Sequence, residues 1–369
     1  TNRFLSKNKS LQILSAIIFL VAYTIYAASS IKACGTLFNT VMDIDPTVAM
    51  YIAAFIIVAY TFLGGFSAVC WTDFFQGMIM LAALLIAPLF ALALAKAGDG
   101  AATGAALPDG FFNFFTTPQD IISGLGWGLG YFGMPHIIIR FMSLKSEKEL
   151  RKSSVIGISW TTIILIMSAL TAIAGRLYLG EIEDSSTVFI TMVRRIFPAL
   201  VSGLLLSAIL SAAMSTADSQ LLATSSAFAS DVYKPVIRKK ASDSEMLWAG
   251  RIVVIVIAIV ALFIASDPNS GSIMGLVENA WGVFGAAFGP VILLSLFWKR
   301  LTFGGTVAGI AAGAAVDILW LVFLSSTDIY EIVPGFAAGL LAAVVVSLLS
   351  KGPGKDVEDL FDRAVDLKS

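Results

Sequence analysis

The stretch LSAILSAAMSTADSQLLATSS, residues 206–226, is apolar enough to cross a membrane and is at the same time rich in hydroxyl groups. Its serines from Ser207 to Ser219 recur at steps of four residues, so they share one face of a helix. Asp218 adds an ionisable group, and burying such a group in a bilayer is costly. The stretch therefore predicts a membrane helix with one small, oxygen-lined face.

Two explanations fit this face. In the structural one, small hydroxylated residues let helices pack closely, and Ser and Thr bond to carbonyls of their own helix. In the functional one, Ser215 and Thr216, with a nearby backbone carbonyl, offer neutral oxygens to a dehydrated alkali cation. Asp218 favours the functional explanation, because an ionisable residue at membrane depth indicates function by default.

The composition defines the class of protein. The chain has 369 residues, of which 58% are hydrophobic and 13% charged, and its mean hydropathy is +0.89, which predicts an integral membrane protein. A net charge of −1 gives no indication of nucleic-acid binding. One histidine and two isolated cysteines, Cys34 and Cys70, provide neither a metal-site spacing nor the convergent groups of an enzyme.

Apolar runs long enough to cross about 30 Å of hydrocarbon predict roughly ten membrane spans. The predicted spans are 11–41, 46–63, 70–97, 120–141, 155–179, 199–230, 247–266, 273–298, 305–325 and 331–350.

The basic residues predict the orientation of these spans. If the N-terminus is cytoplasmic, the outer side retains only Lys32, Lys96, Arg176, Arg194 and Arg195 of the 24 Lys and Arg residues. Cytoplasmic loops carry the excess of basic residues, so both ends of this chain are predicted to be cytoplasmic. The chain opens at Thr1 without a methionine or a signal-peptide pattern, which predicts that further sequence precedes it.

The fourth predicted span contains ISGLGWGLGYFGMPHIIIRF, residues 122–141, and is unlike a simple membrane helix. Each of its glycines costs a helix roughly 1 kcal/mol relative to Ala, and Pro135 costs more. Backbone that unwinds at membrane depth must line a cavity or be buried, and interrupted helices indicate the substrate site of a transporter. Trp127 and Tyr131 lie one turn apart and are predicted to form an aromatic wall of that cavity.

Three single residues have alternative explanations. Tyr26 lies near the middle of the first span and is either an interfacial anchor or part of a cavity wall. Asp73 lies at the polar inner end of the third span, where it either caps a helix or lines a water-filled cytoplasmic path. His136 is expected to be a hydrogen-bonded structural residue rather than a ligand or proton relay.

Four motifs together resemble the sodium/solute symporter family. They are GGFSAVCWTDFFQG, GWGLGYFGMPHIIIRFM, LLSAILSAAMSTADSQLL and VENAWGVFGAAFGPVILLSLFWKR. The resemblance implies an all-α polytopic membrane protein with a leucine-transporter-like core of two inverted repeats, five helices each. It assigns 1–351 to the transporter domain, in which 1–97 is the remainder of the first repeat, 120–298 the second repeat and 305–350 peripheral helices. It also implies that the first two core helices are missing from this chain, and that 352–369 is a cytoplasmic tail.

The resemblance also assigns roles to individual residues. The implied sodium ligands are the carbonyl of Ala212 and the hydroxyls of Ser215 and Thr216. Asp73 and Ser219 match positions of a further sodium site or of the inward release path. The residues that match the lining of the substrate pocket are Tyr26, Trp127, Tyr131 and Pro135. Met134 stands where the family commonly has Gln, which leaves fine substrate selectivity open.

The function implied is sodium-coupled import of a small zwitterion, L-proline, by alternating access, with Na+ as coupling ion and no organic cofactor. The implied location is the bacterial inner membrane, with the lipid bilayer as surroundings, no nucleic acid and no obligate protein partner. Other members of the family would carry pantothenate, another monocarboxylate or a sugar. A membrane sensor on the same fold would need a cytoplasmic signalling domain, and the short tail after Lys351 argues against it.

Overall fold

The computed structural model describes residues 2–4, 9–98, 106–113 and 116–366, without the side chains at 2, 64–68, 147 and 366. Regular structure in these ranges is helical throughout, with no strand. The α-helices are α1 (Lys9–Met42), α2 (Pro46–Ala97), α3 (Pro118–Gly130), α4 (Pro135–Met142), α5 (Glu147–Leu179), α6 (Val188–Ile196), α7 (Ala199–Ala227), α8 (Asp243–Ser266), α9 (Ile273–Phe297), α10 (Phe303–Phe323), α11 (Ile332–Leu349) and α12 (Lys355–Asp366). A π-helical segment, Phe228–Ile237, continues α7.

Among the described residues, nine helical segments are long and apolar enough to cross a membrane. The predicted spans 46–63 and 70–97 correspond to two of them, Pro46–Leu63 and Val69–Ala97, which lie in the single helix α2. The predicted span 120–141 is not among the nine, because it is divided into the short helices α3 and α4. This division is the interruption that the glycines and the proline predict.

Asp45 and Pro46 begin α2, and their position corrects one explanation of Asp73. The side chain of Asp45 accepts hydrogen bonds from the N–H groups of Thr47 and Val48, as an N-cap does. Asp73 lies in the interior of the same helix, where backbone N–H groups are already bonded to carbonyls one turn earlier. No helix begins at Asp73, so the explanation of this residue as a cap is wrong.

Helix α9 lies at the centre of the packing. In its membrane-length window 61% of residues are buried, against 11% for the window in Lys148–Leu179. The largest core cluster joins α9 to α1, α10, α11 and the α3–α4 break, through residues such as Tyr23, Met134 and Phe284. Many large apolar side chains are exposed elsewhere, as expected where lipid replaces water as the surrounding medium.

Candidate ion and substrate site

A charged cluster joins α2, α4 and α7. Arg140 Nη2 lies 2.5 Å from Asp73 Oδ2 and donates to Ser219 Oγ at 2.8 Å. Ser219 Oγ is itself 3.3 Å from Asp73 Oδ2. The second carboxylate oxygen of Asp73 is buried and has no hydrogen-bond partner in the described ranges. The predicted pair of Asp73 and Ser219 is therefore brought together, and Arg140 supplies the opposite charge.

Asp218 lies beside this cluster and is fully buried. Tyr60 of α2 places its hydroxyl 2.8 Å from Asp218 Oδ2 and 3.0 Å from the carbonyl oxygen of Met214, so one hydrogen serves two acceptors. Asp218 Oδ1 has no hydrogen-bond partner in the part of the chain that the structure describes. Two acids, the partly buried Asp73 and the buried Asp218, thus lie next to the hydroxylated stretch of α7, and one basic group, Arg140, contacts the first of them.

The predicted sodium ligands lie about one turn earlier in α7. Ser215 Oγ donates to the carbonyl oxygen of Ala212 at 3.2 Å, so those two predicted ligands are adjacent. A hydrogen bond from a hydroxyl to a carbonyl of the same helix is what the structural explanation of this face predicts. The bond uses the hydrogen of Ser215, however, so lone pairs on its oxygen remain available to a cation. Thr216 is half-buried, and Ala212 also lines a cavity against Met80 of α2 and Thr171 of α5.

Glycine allows the interrupted segment to approach α9 closely. A Cβ on Gly130 would lie 1.8 Å from Trp281 Nε1, and one on Gly133 would lie 2.2 Å from the carbonyl oxygen of Phe284. Helix α3 ends at Gly130 and α4 begins at Pro135, which occupies the first helical turn. The break therefore exists because its glycines pack directly against α9 and its proline starts a new helix.

Trp127 and Tyr131 form an aromatic cluster through a third residue that the sequence did not single out. Trp281 of α9 donates from Nε1 to the carbonyl oxygen of Trp127 at 3.0 Å, and its ring centroid lies 5.9 Å from that of Trp127. Tyr131 contacts Trp281 edge to face at 5.0 Å, and Tyr330 lies 5.4 Å from Trp127. The predicted aromatic wall is a four-ring cluster with Trp281 at its centre.

Tyr26 and Pro135 lie on the two elements that meet beside this wall. Tyr26 packs partly buried against the same core cluster as Trp127. His136, directly after Pro135, donates its backbone N–H to Tyr23 Oη at 3.0 Å, and the same hydroxyl lies 3.2 Å from His136 Nδ1. His136 thus makes the structural hydrogen bond expected of it, and it fixes the start of α4 against α1.

Helix α4 connects the aromatic cluster with the charged cluster. A pocket between α2, α4 and α7 is lined by residues that include Cys70, His136, Arg140, Ser219 and Ser226. Pro135 stands at one end of α4 and Arg140 toward the other. A movement of this short helix would therefore change both clusters together.

Four residues of the site were not predicted from the sequence: Tyr60, Arg140, Trp281 and Tyr330. In the sequence, Arg140 is identifiable only as one of the basic residues that the predicted orientation places on the cytoplasmic side. Its spacing of four residues from His136, within an apolar run, is a signal that could have identified it. The remaining three give no local signal, since their roles depend on contacts between helices that are distant in sequence.

The interrupted helix, the buried acids and the membrane-length helices define a polytopic membrane protein of the transporter class. The chain belongs to the sodium:solute symporter family, whose model matches residues 1–313. Its fold is accordingly the leucine-transporter-like, all-helical class.

Relatives with assigned functions are similar over nearly the whole chain. The high-affinity proline transporter PutP of Bacillus subtilis is 43% identical over 375 residues, covering 100% of this chain and 79% of that protein. The sodium/proline symporter of Haemophilus influenzae is 43% identical over 382 residues, with 98% and 76% covered. The osmoregulated proline transporter OpuE of B. subtilis is 40% identical over 370 residues, with 97% and 75% covered.

A solved structure supports the fold independently. It is described as the substrate-bound outward-open state of a Na+-coupled sialic acid symporter. It superposes with a TM-score of 0.74 at 20% identity, covering 93% of this chain and 75% of that one. At this identity the likeness concerns the fold alone.

Proposed function

We propose that this protein imports L-proline together with Na+ by alternating access. The observation that carries the proposal is the 43% identity over the whole chain to a proline transporter, combined with an interrupted helix that joins the aromatic and charged clusters. The family membership supports sodium coupling. The similarity to three proline transporters, which include the osmoregulated one, supports proline as the substrate.

Sodium would bind at the middle of α7. The carbonyl of Ala212 and the hydroxyls of Ser215 and Thr216 supply hard, neutral oxygens, and two of these three ligands already lie in contact. Asp73 and Ser219 would act as a further sodium site or as the path by which the ion leaves toward the cytoplasm. The guanidinium of Arg140 contacts the same oxygen of Asp73 that Ser219 contacts. Arg140 would therefore compete with a cation for that oxygen.

Proline would bind against the aromatic cluster. Trp127 and Tyr131 offer ring faces to the pyrrolidine ring, and Tyr26 offers a phenol from α1. Pro135 fixes the start of α4 next to the Tyr23 hydroxyl, which accepts from the N–H of His136 and offers a polar group on this side of the cluster. Met134 is fully buried, so its side chain would support the interrupted segment by packing in the core and would not contact the substrate.

The driving force is sufficient for uptake against a gradient. One charge moving inward gains about 2.3 kcal/mol at 100 mV, and a tenfold sodium gradient adds about 1.4 kcal/mol. One sodium per proline could therefore support an accumulation of several hundred-fold. A ligand shifts the balance of states only through differential affinity, so sodium must bind the outward-open state more tightly than the inward-open one.

The protein would act as a multi-pass protein of the bacterial inner membrane with both ends of this chain cytoplasmic, since that orientation places most basic residues inside. Residues 1–97 would then belong to the first repeat and 120–298 to the second.

Uptake by the full-length protein in proteoliposomes tests the function. Labelled proline, pantothenate and glucose are compared with an inward sodium gradient, with an equal potassium gradient, and with sodium on both sides. We expect concentrative uptake of proline only with the sodium gradient. Concentrative uptake of pantothenate or glucose in preference to proline would assign another substrate, and equal proline uptake with potassium would contradict sodium coupling.

A further inference from the structure

A second pair of buried acids lies away from the charged cluster. Asp317 of α10 is fully buried, and neither carboxylate oxygen has a hydrogen-bond partner in the described ranges. Glu331, just before α11, is 8% exposed, and its Oε1 is likewise without a partner there. A buried polar group without a partner is rare and costly, which makes this pair a feature that needs an explanation.

The two side chains meet over Gly282 of α9. A Cβ on Gly282 would lie 2.9 Å from Asp317 Oδ1 and 3.3 Å from Glu331 Oε1, so both oxygens approach the same point of the helix surface. On the other side, a Cβ on Gly335 would lie 3.0 Å from the Cβ of Asp317. The carboxyl groups are thus enclosed by three helices at positions where any larger residue would collide with them.

Among the described residues, the titratable groups that interact with the pair are another acid, Glu278, and the phenol of Tyr330. Glu331 is close enough to Asp317 for their charges to repel, and Glu278 of α9 acts in the same way on Glu331. The hydroxyl of Tyr330 donates to the backbone carbonyl of Glu278 at 2.9 Å and not to either acid of the pair, while Glu331 accepts a hydrogen bond from its own backbone. No ion pair between described residues involves any of these three acids.

Two adjacent negative charges without a counter-ion cannot both persist in such surroundings, because the desolvation of each charge and their mutual repulsion add. A bound proton removes one of the charges, and with it the repulsion and part of the desolvation cost, and it needs no extra space. A metal ion would need space and further oxygen ligands at the point that Gly282 leaves free. The enclosed geometry therefore favours the proton over a larger cation.

We propose that Asp317 and Glu331 form a proton-binding pair, in which a proton taken from solution is shared between the two carboxyl groups. The site is distinct from the charged cluster of Asp73 and Arg140, which is built from α2, α4 and α7. It lies instead where α9, α10 and α11 meet.

The pair is connected to the aromatic cluster through two neighbours in sequence. Gly282 follows Trp281, whose indole N–H bonds the carbonyl of Trp127 at 3.0 Å. Glu331 follows Tyr330, whose ring lies 5.4 Å from that of Trp127. Release of the proton would separate the two carboxylates and displace the elements that hold Trp127. The proton site therefore makes the aromatic cluster sensitive to pH.

Infrared spectroscopy of the purified full-length protein, without sodium or substrate, tests the proton directly. A protonated carboxyl group gives a C=O stretching band that an ionised one lacks. We expect Asp317→Asn and Glu331→Gln each to change the position or the intensity of the carboxyl band at neutral pH relative to the wild type, because the proton loses one of the two groups that share it. Asp328→Asn is the matched control, because Asp328 is exposed and its left-handed backbone, with φ of 55°, suits Asn.

The result that overturns the proposal is an unchanged carboxyl band in both Asp317→Asn and Glu331→Gln. If one variant fails to fold, the other decides. Asp218 is also buried, so the comparison rests on the difference between wild type and variant and not on the total band. This measurement needs no transport and is independent of whether the substrate is proline.

A second measurement tests the connection to the aromatic cluster. Tryptophan fluorescence of the wild type, followed from acid to alkaline pH without substrate, is expected to show a transition that Asp317→Asn abolishes and Asp328→Asn retains. The same transition in Asp317→Asn would contradict the connection between the proton and Trp127.

Discussion

Arg140 of α4 and Asp73 of α2 form an ion pair, with 2.5 Å between Nη2 and Oδ2, across 67 positions of the sequence. Ser219 of α7 contacts both partners, so three helices converge on one carboxylate. The side chain of Arg140 is 49% exposed and that of Asp73 only 10%, so separation of the pair would leave a largely buried carboxylate without a counter-ion.

The first prediction concerns the charge of Asp73. Asp73→Asn keeps the size of the side chain but removes the charge that would attract a departing sodium ion. We expect a raised sodium concentration for half-maximal proline uptake or a slower turnover, with partial recovery in Asp73→Glu. Sodium-driven uptake in proteoliposomes, normalised to protein amount, measures both.

Asp109→Asn, in the exposed loop after α2, is the control for the loss of one negative charge. Normal uptake by Asp73→Asn at low sodium concentration would remove Asp73 from the ion path.

The second prediction separates ion binding from helix packing in α7. Ser215→Ala and Thr216→Ala remove hydroxyl oxygens from the proposed sodium site and are expected to raise the half-saturating sodium concentration. Ser207→Ala is the matched control, because Ser207 makes the same kind of bond, to the carbonyl of Leu204 at 2.7 Å, as Ser215 makes to Ala212. The sodium dependence of uptake checks the difference.

Equal effects of Ser207→Ala and Ser215→Ala would mean that these hydroxyls serve the helix alone. Expression and thermal stability in detergent are recorded for each variant, so that a loss of folded protein is not mistaken for a loss of sodium affinity.

The elements of this fold that follow from local chemistry were predictable from the sequence. Long apolar runs predicted the membrane helices, and the glycines before Pro135 predicted the break between α3 and α4. The continuity of α2 from Pro46 to Ala97 was not predictable, since the predicted spans 46–63 and 70–97 are separated in the sequence by Gly64 and Gly65. Local propensity is a weak guide where tertiary packing decides.

The candidate site was predictable only in part for the same reason. Ser219 and Asp73 could be named as separate candidates, whereas Arg140 required the knowledge that α4 turns its basic end toward α2. Trp281 completes the aromatic wall from a helix 154 positions away from Trp127, and no periodicity in the sequence records such a contact.

The third prediction concerns the close approach of Gly130 to α9. Gly130→Ala would place a methyl group 1.8 Å from Trp281 Nε1, so either the indole or the helix must move. Overpacking of this kind typically lowers the free energy of unfolding by roughly 1–3 kcal/mol. Thermal unfolding in detergent is expected to show a clear loss of stability.

Gly128→Ala is the control, because nothing lies within 4 Å of a Cβ at that position in the same helix. It should be neutral or stabilising by up to about 1 kcal/mol, the gain in helix propensity. Equal stability of the two variants would contradict the close packing of the break.

The last prediction concerns the aromatic wall. Trp127→Ala removes a ring that contacts Trp281 and Tyr330, and we expect proline affinity to fall by roughly 1–3 kcal/mol, the usual cost of losing a buried aromatic contact. Trp127→Phe keeps a ring and the backbone carbonyl that Trp281 bonds, so it should retain most of the affinity. Trp71→Ala, at a position 66% exposed, controls for the loss of a tryptophan. Binding is measured by competition with labelled proline at saturating sodium. If Trp127→Ala and Tyr131→Ala both bind proline as the wild type does, the substrate pocket lies away from this wall, and Trp127 serves only to hold α3 against α9.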